Sequence, residues 1–196
     1  MRIGLLFGTF DPPHRAHIAV ADYMRQKWGF DAVWLVVTPL NPFKQHQPIS
    51  ADAHRVAMVK LASQAHPGLE ACDVELGLSQ PSYTVDALRA MRTQWPGNTF
   101  SLIIGSDNLQ SFHRWKEPDA ILAHHDVLVY PRPGADMHGT LSPYTSHARV
   151  HLVADAPVMD NSSTKLRELV GSGALIGNQV EPAVAAYIRE HGLYRN

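Results

Sequence analysis

The chain has 196 residues, 45% of them hydrophobic, and its 17 basic and 18 acidic side chains leave a net charge of −1. That length suffices for one domain with a sizeable core, and the charge balance offers no basic field for gripping nucleic acid. The single cysteine, Cys72, excludes an intramolecular disulfide and suits a reducing cytoplasm; no apolar run approaches a membrane span, and the opening MRIGLLFGTF is too short and too soon interrupted for a signal peptide.

The β-prone run Ile3–Phe7 predicts a first strand, and Ala16, Val20 and Met24, spaced at 3–4, a first helix. Between them lies GTFDPPHRAH, residues 8–17. Pro12 and Pro13 fit a turn and a first helical position, where a missing N–H costs nothing. His14 and His17 then fall one turn apart at the N-terminus of the helix. A helix start offers free N–H groups and positive potential, so the pair reads as a phosphate handler; the bland alternative is two solvated first-turn histidines.

DAVWLVVTP (31–39) predicts a second buried strand, NPFKQHQPIS (41–50) a loop, and ADAHRVAMVKLASQA (51–65) a helix with Ser50 as N-cap. LEACDVEL (69–76) reads as a third strand, and PSYTVDALRAMRTQ (81–94) as a helix opened by Ser82. TFSLIIGSD (99–107) is a strand breaking at Gly105, and PDAILAHH (118–125) a short helix whose final histidines would complement its dipole as imidazolium. DVLVYPRPG (126–134) is a strand ended by prolines, residues 134–148 a surface loop, and ARVHLV (148–153) a last strand. SSTKLRELVGSG (162–173) and PAVAAYIREHG (182–192) are helices stopped by glycine. Strand–helix alternation of this kind predicts an α/β fold: an open parallel sheet with helices on both faces and a ligand site past the carboxyl ends of the strands, where residues 8–17 fall.

Twelve histidines raise the question of a metal, yet there is no H-E-x-x-H, no Cys-x-x-Cys and no His/carboxylate cluster at ligand spacing. Residues 8–17 match neither G-x-x-x-x-G-K-[ST] nor G-x-G-x-x-G. NSSTKLRE (161–168) supplies a second candidate anion site. Its hydroxyls, first-turn N–H groups and the fork of Arg167 could converge on one phosphate, or simply over-cap a helix. Two such grips at opposite ends of one chain suggest a triphosphate held between them.

GTFDPPHRAH resembles the G-[ST]-F-D-P-x-H-x-G-H signature of the nucleotidyltransferases, and NSSTKLR their I-S-S-T-x-[IV]-R. With PSYTVDALRAMR, LIIGSDNLQSFHRW and the ending YIREHGLY, the similarity extends over nearly the whole chain to the bacterial nicotinate-nucleotide adenylyltransferases. The resemblance implies one Rossmann-like nucleotidyltransferase domain over residues 1–196, with 160–196 a C-terminal helical part carrying the second motif. It implies adenylyl transfer from ATP to nicotinate mononucleotide, in line and without a covalent intermediate, in NAD biosynthesis. His14 and His17 would be catalytic, His17 supporting charge at the α/β-phosphate bridge. Gly8, Thr9, Phe10, Lys44, Gly105, Asp107, Ser162, Ser163, Thr164 and Arg167 would hold ATP, with Asp107 on a ribose hydroxyl. Tyr83, Thr84, Trp115 and Arg132 would surround the nicotinate ring. Mg²⁺ would travel with the triphosphate, since no carboxylate cage is visible. Nicotinate over nicotinamide would be chosen by the first N–H groups of the helix that Ser82 caps, with the Thr84 hydroxyl and without a cation. Ala16 stands where the family has glycine, NPFK leaves Lys44 as its loop's one cation, and Asn161 replaces an aliphatic residue. The competing readings are nicotinamide mononucleotide as the preferred acceptor, pantetheine-phosphate adenylyltransferase, which shares both phosphate motifs but lacks the Ser-Tyr-Thr and Trp segments, a nucleotide-binding regulator without catalysis, and a metal-dependent hydrolase.

Overall fold

Arg2–Gly8 forms β1, the strand on which the architecture turns: it pairs in parallel with β2 (Ala32–Val37) on one side and β4 (Thr99–Gly105) on the other. The computed structural model describes residues 1–39, 49–134, 142–159 and 161–195. Beyond β2 lies β3 (Leu69–Cys72), and beyond β4 lie β5 (Val127–Tyr130) and β6 (Val150–Leu152). All pairings are parallel and the order is β3-β2-β1-β4-β5-β6. The chain therefore works outward from β1 to β3, returns beside β1, and works outward again. The predicted Rossmann-like α/β sheet is the observed one, and its reversal of direction opens a crevice at the carboxyl ends of β1 and β4.

Helices α1 (Arg15–Trp28), α2 (Asp52–Gln64), α6 (Ser163–Gly171) and α7 (Pro182–Glu190) cover one face. Their buried residues, Met24, Met58, Leu166 and Ile188 among them, pack with Leu6, Val33 and Leu35 of the sheet. Helices α3 (Thr84–Gln94), α4 (Ser106–Ser111) and α5 (Pro118–His124) cover the other, where Leu88, Met91, Leu109 and Ile121 meet Ile3, Leu5 and Leu102. Alternate residues of β1 thus feed opposite cores, which is why the strand reads as a continuous apolar run. Trp28, Trp34 and Trp95, expected in the core or at its edge, pack half-buried against these clusters, Trp34 edge-on to Trp95 at 4.8 Å.

Several local expectations are corrected. The third strand stops at Cys72, opposite Val36 of β2; Val74–Gly77 is instead a single 3-10 turn. Pro12 and Pro13 precede α1, whose N-cap is His14, with His17 at the third helical position. Ser50 does not cap α2: Ala51 holds that position, while the Ser50 carbonyl accepts from Arg55 and its N–H donates to Asp11. Ser82 does not cap α3, for its hydroxyl is committed to Glu75 and the N-cap is Tyr83. The pattern missed α4, one and a half turns opening directly from β4. His125 is buried with Nδ1 2.9 Å from the Phe100 carbonyl oxygen, and burial lowers its pKa, so it does not serve as the imidazolium complement to the dipole of α5. Residues 135–141 of the expected 134–148 loop lie outside the described residues.

Candidate active site

The last residue of β1 is Gly8, and the next two, Thr9 and Phe10, turn the chain toward α1. Phe10 has a left-handed backbone, φ 48°, and is 1% exposed. Its ring lies against Gly8, where a Cβ would meet it at 3.0 Å, and stands edge-on to the His17 ring at 4.9 Å. The glycine is thus required by a side chain packed on bare backbone. The same logic holds at the end of β4: a Cβ on Gly105 would meet Asp107 Oδ1 at 2.3 Å and Arg132 Cγ at 2.7 Å. These two strand ends, adjacent in the sheet, form the floor of one cleft of about 410 Å³.

His14 and His17 stack in this cleft, ring centroids 3.7 Å apart and 18° from parallel. The reading of two solvated histidines fails, since His14 is 3% exposed and His17 half-buried. Burial holds both imidazoles below their usual range, with Arg132 adding repulsion: His14 falls to about 4, and His17 well below 6.5 with His14 adding a further push. Both are neutral at pH 7. The backbone N–H of His14 donates to His17 Nδ1 at 3.2 Å, so the neutral His17 carries its proton on Nε2. The pair offers N–H donors, not fixed positive charge.

The second motif lies beside the first. Ser162 caps α6 by accepting the Lys165 N–H; Ser163 donates to the Pro12 carbonyl at 2.9 Å. Arg167 donates to the Asp11 carbonyl at 2.9 Å and to the Thr164 hydroxyl at 3.3 Å. Several of these groups therefore fasten α6 to the first turn, as well as lining the cleft alongside Asn161. Asp11 is the shared anchor. Its buried carboxylate accepts the Tyr194 hydroxyl at 2.6 Å and the Ser50 N–H at 3.1 Å.

Tyr83, Thr84 and Trp115 line the cleft, Trp115 packed on Phe112 at 5.1 Å and Tyr83 under the Lys116 ammonium at 4.9 Å. Arg132 sits 3.9 Å from Asp107. Every expected site residue within the described set, Gly8 through Arg167, lines this one cleft; Lys44 lies outside the described residues. Two expectations change. Arg114 and Lys116 also line the cleft with Tyr83, Thr84 and Trp115, so cations stand where none was expected, and the Ser82 hydroxyl is bonded to Glu75 and does not cap α3. Ala16, where a methyl was expected to approach adenosine, is 7% exposed and borders a small separate hollow with Pro157 and Met159, although His17 touches both.

Residues 5–169 match the cytidylyltransferase-like family model. A probable nicotinate-nucleotide adenylyltransferase of Flavobacterium psychrophilum is 39% identical over 195 residues, covering 100% of both chains. The chain belongs to the nicotinate-nucleotide adenylyltransferase family. Within that family, a probable member from Bacteroides fragilis is 39% identical over 93% of this chain and 89% of its own. The fold is shared more widely: a Plasmodium falciparum nicotinic acid mononucleotide adenylyltransferase complexed with NaAD superposes with a TM-score of 0.75 at 18% identity, covering 98% of this chain and 97% of that one.

Four residues of this family member were missed from sequence: Arg55, Asp11, Glu75 and Tyr194. Arg55 is fully buried and donates to the carbonyls of Thr9, Thr38, Pro39 and Ser50 and to Asp52. A signal existed, because Arg55 heads the apolar stripe Met58, Val59, Ala62, and an arginine on a buried helix face needs several acceptors. Asp11 and Tyr194 lie within the stretches GTFDPPHRAH and YIREHGLY, but nothing in either stretch signalled that the two, 183 positions apart, pair with each other. Among the described residues no group of three or more His, Cys, Asp or Glu is placed to hold a metal ion, and no helix is long and apolar enough to cross a membrane.

Proposed function

We propose that this family member transfers the adenylyl group of ATP to nicotinate mononucleotide by direct in-line displacement, forming nicotinate adenine dinucleotide and pyrophosphate. The observation that carries the reading is the meeting of GTFDPPHRAH and NSSTKLR, about 150 residues apart in sequence, along one wall of a single cleft floored by β1 and β4. ATP would lie with its ribose against Asp107 and its triphosphate between the histidine pair and α6, with Ser162, Ser163, Thr164 and Arg167 toward the β- and γ-phosphates.

The nucleophile is the 5′-phosphate of the acceptor, already ionised at neutral pH, so no general base is required. One of its oxygens forms a bond to the α-phosphorus as the bond to the bridging oxygen breaks, and the electron pair leaves with pyrophosphate. The His17 Nε2–H and the guanidinium of Arg167 would stabilise the charge that develops on the bridging and departing oxygens. ATP would arrive as its Mg²⁺ complex, the ion being part of the substrate, with water in its remaining coordination positions. Tyr83, Thr84, Trp115 and Arg132 would enclose the pyridine ring. The first N–H groups of α3, supported by Lys116, would favour a carboxylate over a carboxamide. We place the enzyme in the cytoplasm, where the buried thiol of Cys72 stays reduced.

Incubation of the protein with MgATP and each pyridine mononucleotide, with product mass and pyrophosphate release as readouts, tests the proposal. The expected outcome is nicotinate adenine dinucleotide, with kcat/KM at least roughly tenfold above that for nicotinamide mononucleotide, a difference of about 1.4 kcal/mol. Absence of any dinucleotide would overturn the activity. Equal efficiency on both acceptors would overturn only the choice of ring.

A further inference from the structure

Glu75 lies in the 3-10 turn that follows β3, is 4% exposed, and borders the cleft without any role in the transfer described above. Its Oε1 accepts the Ser82 hydroxyl at 2.6 Å, while Oε2 is buried with no hydrogen-bond partner among the described residues. Burial raises the pKa of this carboxyl, the Ser82 bond opposing that only in part. Ser82 is equally buried, yet the chain between them is a surface loop with Gly77, Ser79, Gln80 and Pro81 exposed. The Glu75–Ser82 bond thus closes that loop at its base.

Immediately after Ser82 come Tyr83 and Thr84, both on the cleft wall. Tyr83 is 36% exposed, and its carbonyl accepts the N–H groups of Asp86 and Ala87 to open α3. The N-cap side chain, Tyr83, makes no capping hydrogen bond. The N–H groups of Thr84 and Val85 have no intrahelical acceptor, as at any helix start, and their direction follows from where Ser82 holds the chain. A serine at this place would ordinarily be read as a cap; here it is a latch whose other half is Glu75.

We propose that Glu75 is a positioning residue for the acceptor nucleotide, acting through the Ser82 hydroxyl to fix the Tyr83–Thr84 edge of the ring pocket. The inference rests on the assignment of that edge to the acceptor. What matters is the reach of the side chain to Ser82, not its charge. Glu75→Gln keeps the acceptor oxygen at the same reach, whereas Glu75→Asp keeps the charge and falls one methylene short. Ser82→Ala removes only the donor and spares the fold a buried cavity of any size.

The test is steady-state kinetics with both substrates, together with calorimetric binding of nicotinate mononucleotide, on a wild-type protein first shown to form the dinucleotide. An inactive wild type would overturn the proposed function and, with it, any acceptor role for Glu75; with wild-type activity in hand, every variant outcome bears on Glu75 alone. Ser82→Ala and Glu75→Asp should raise KM and Kd for the mononucleotide about tenfold, with kcat within about threefold and KM for ATP within about twofold. Glu75→Gln should stay within about threefold of wild type in all parameters. A normal Glu75→Asp beside an impaired Glu75→Gln would overturn the proposal in favour of charge. KM for ATP rising in step with that for the acceptor would overturn it in favour of a general structural role.

Discussion

Replacing Arg55 with lysine keeps the charge and removes the fork, and the structure allows the cost to be worked out. Four carbonyls surround the guanidinium: Thr9 at 2.7 Å, Thr38 at 2.5 Å, and Pro39 and Ser50 each at 3.1 Å. The fifth partner, the Asp52 carboxylate, is 51% exposed and can turn to water at little cost. A lysine brings three donors from one nitrogen, so at least one carbonyl is left unpaired in a site where the native side chain has no exposure. One orphaned carbonyl costs about 1–3 kcal/mol, and weaker geometry at the others brings the expected loss to about 2–5 kcal/mol, a large part of a stability of about 5–15 kcal/mol. Because the Thr9 carbonyl belongs to the turn beneath the cleft, those of Thr38 and Pro39 to the end of β2 and that of Ser50 to the entry of α2, KM for ATP should rise as well. Urea unfolding followed by far-UV circular dichroism gives the stability change, and steady-state kinetics the second effect. A loss below about 1 kcal/mol would refute the view that Arg55 is the clamp joining β1, β2 and α2.

Removing the imidazole of His17 as His17→Ala should lower kcat by on the order of 10²–10³ while ATP binding weakens much less, in keeping with loss of one preorganised donor; unchanged turnover in a folded variant would remove it from the mechanism. Tyr194→Phe leaves a buried oxygen of Asp11 without its donor and should destabilise by about 1–3 kcal/mol in thermal or urea unfolding, although the residue is third from the C-terminus. Acid should also unfold the protein early. The His14 pKa is about 4 in the native state against about 6.5 when unfolded, so its contribution is intact above pH 6.5 and is lost as pH falls toward 4. His14 alone accounts for on the order of 3 kcal/mol over that window, His17 and His125 adding in the same direction; flat stability from pH 7 to pH 4.5 would contradict the burial of these rings.

Local patterns were enough for the succession of strands and of every helix but α4, the α/β class and the two phosphate motifs, because each depends on residues within a turn or two of one another. Apolar runs such as Ile3–Phe7 and Val33–Val37 report burial on both faces of a parallel sheet, and helix starts announce themselves through Ser, Pro and spacing. Spacing at 3 was also enough to place His14 and His17 together. It could not say that they stack and are neutral, since burial and the approach of Arg132 arise from strand ends that meet only in the folded sheet. Serine was the residue most often misread. Ser50 and Ser82 carry the same chemistry as a true N-cap such as Ser162, and which of them caps depends on whether a stronger partner is within reach. For Ser82 that partner is Glu75, placed there by the 3-10 turn that follows β3. Asp11, Arg55 and Tyr194 are the extreme case: polar side chains whose partners come from distant segments, visible as functional only once the low dielectric of the interior obliges each buried donor and acceptor to find its counterpart.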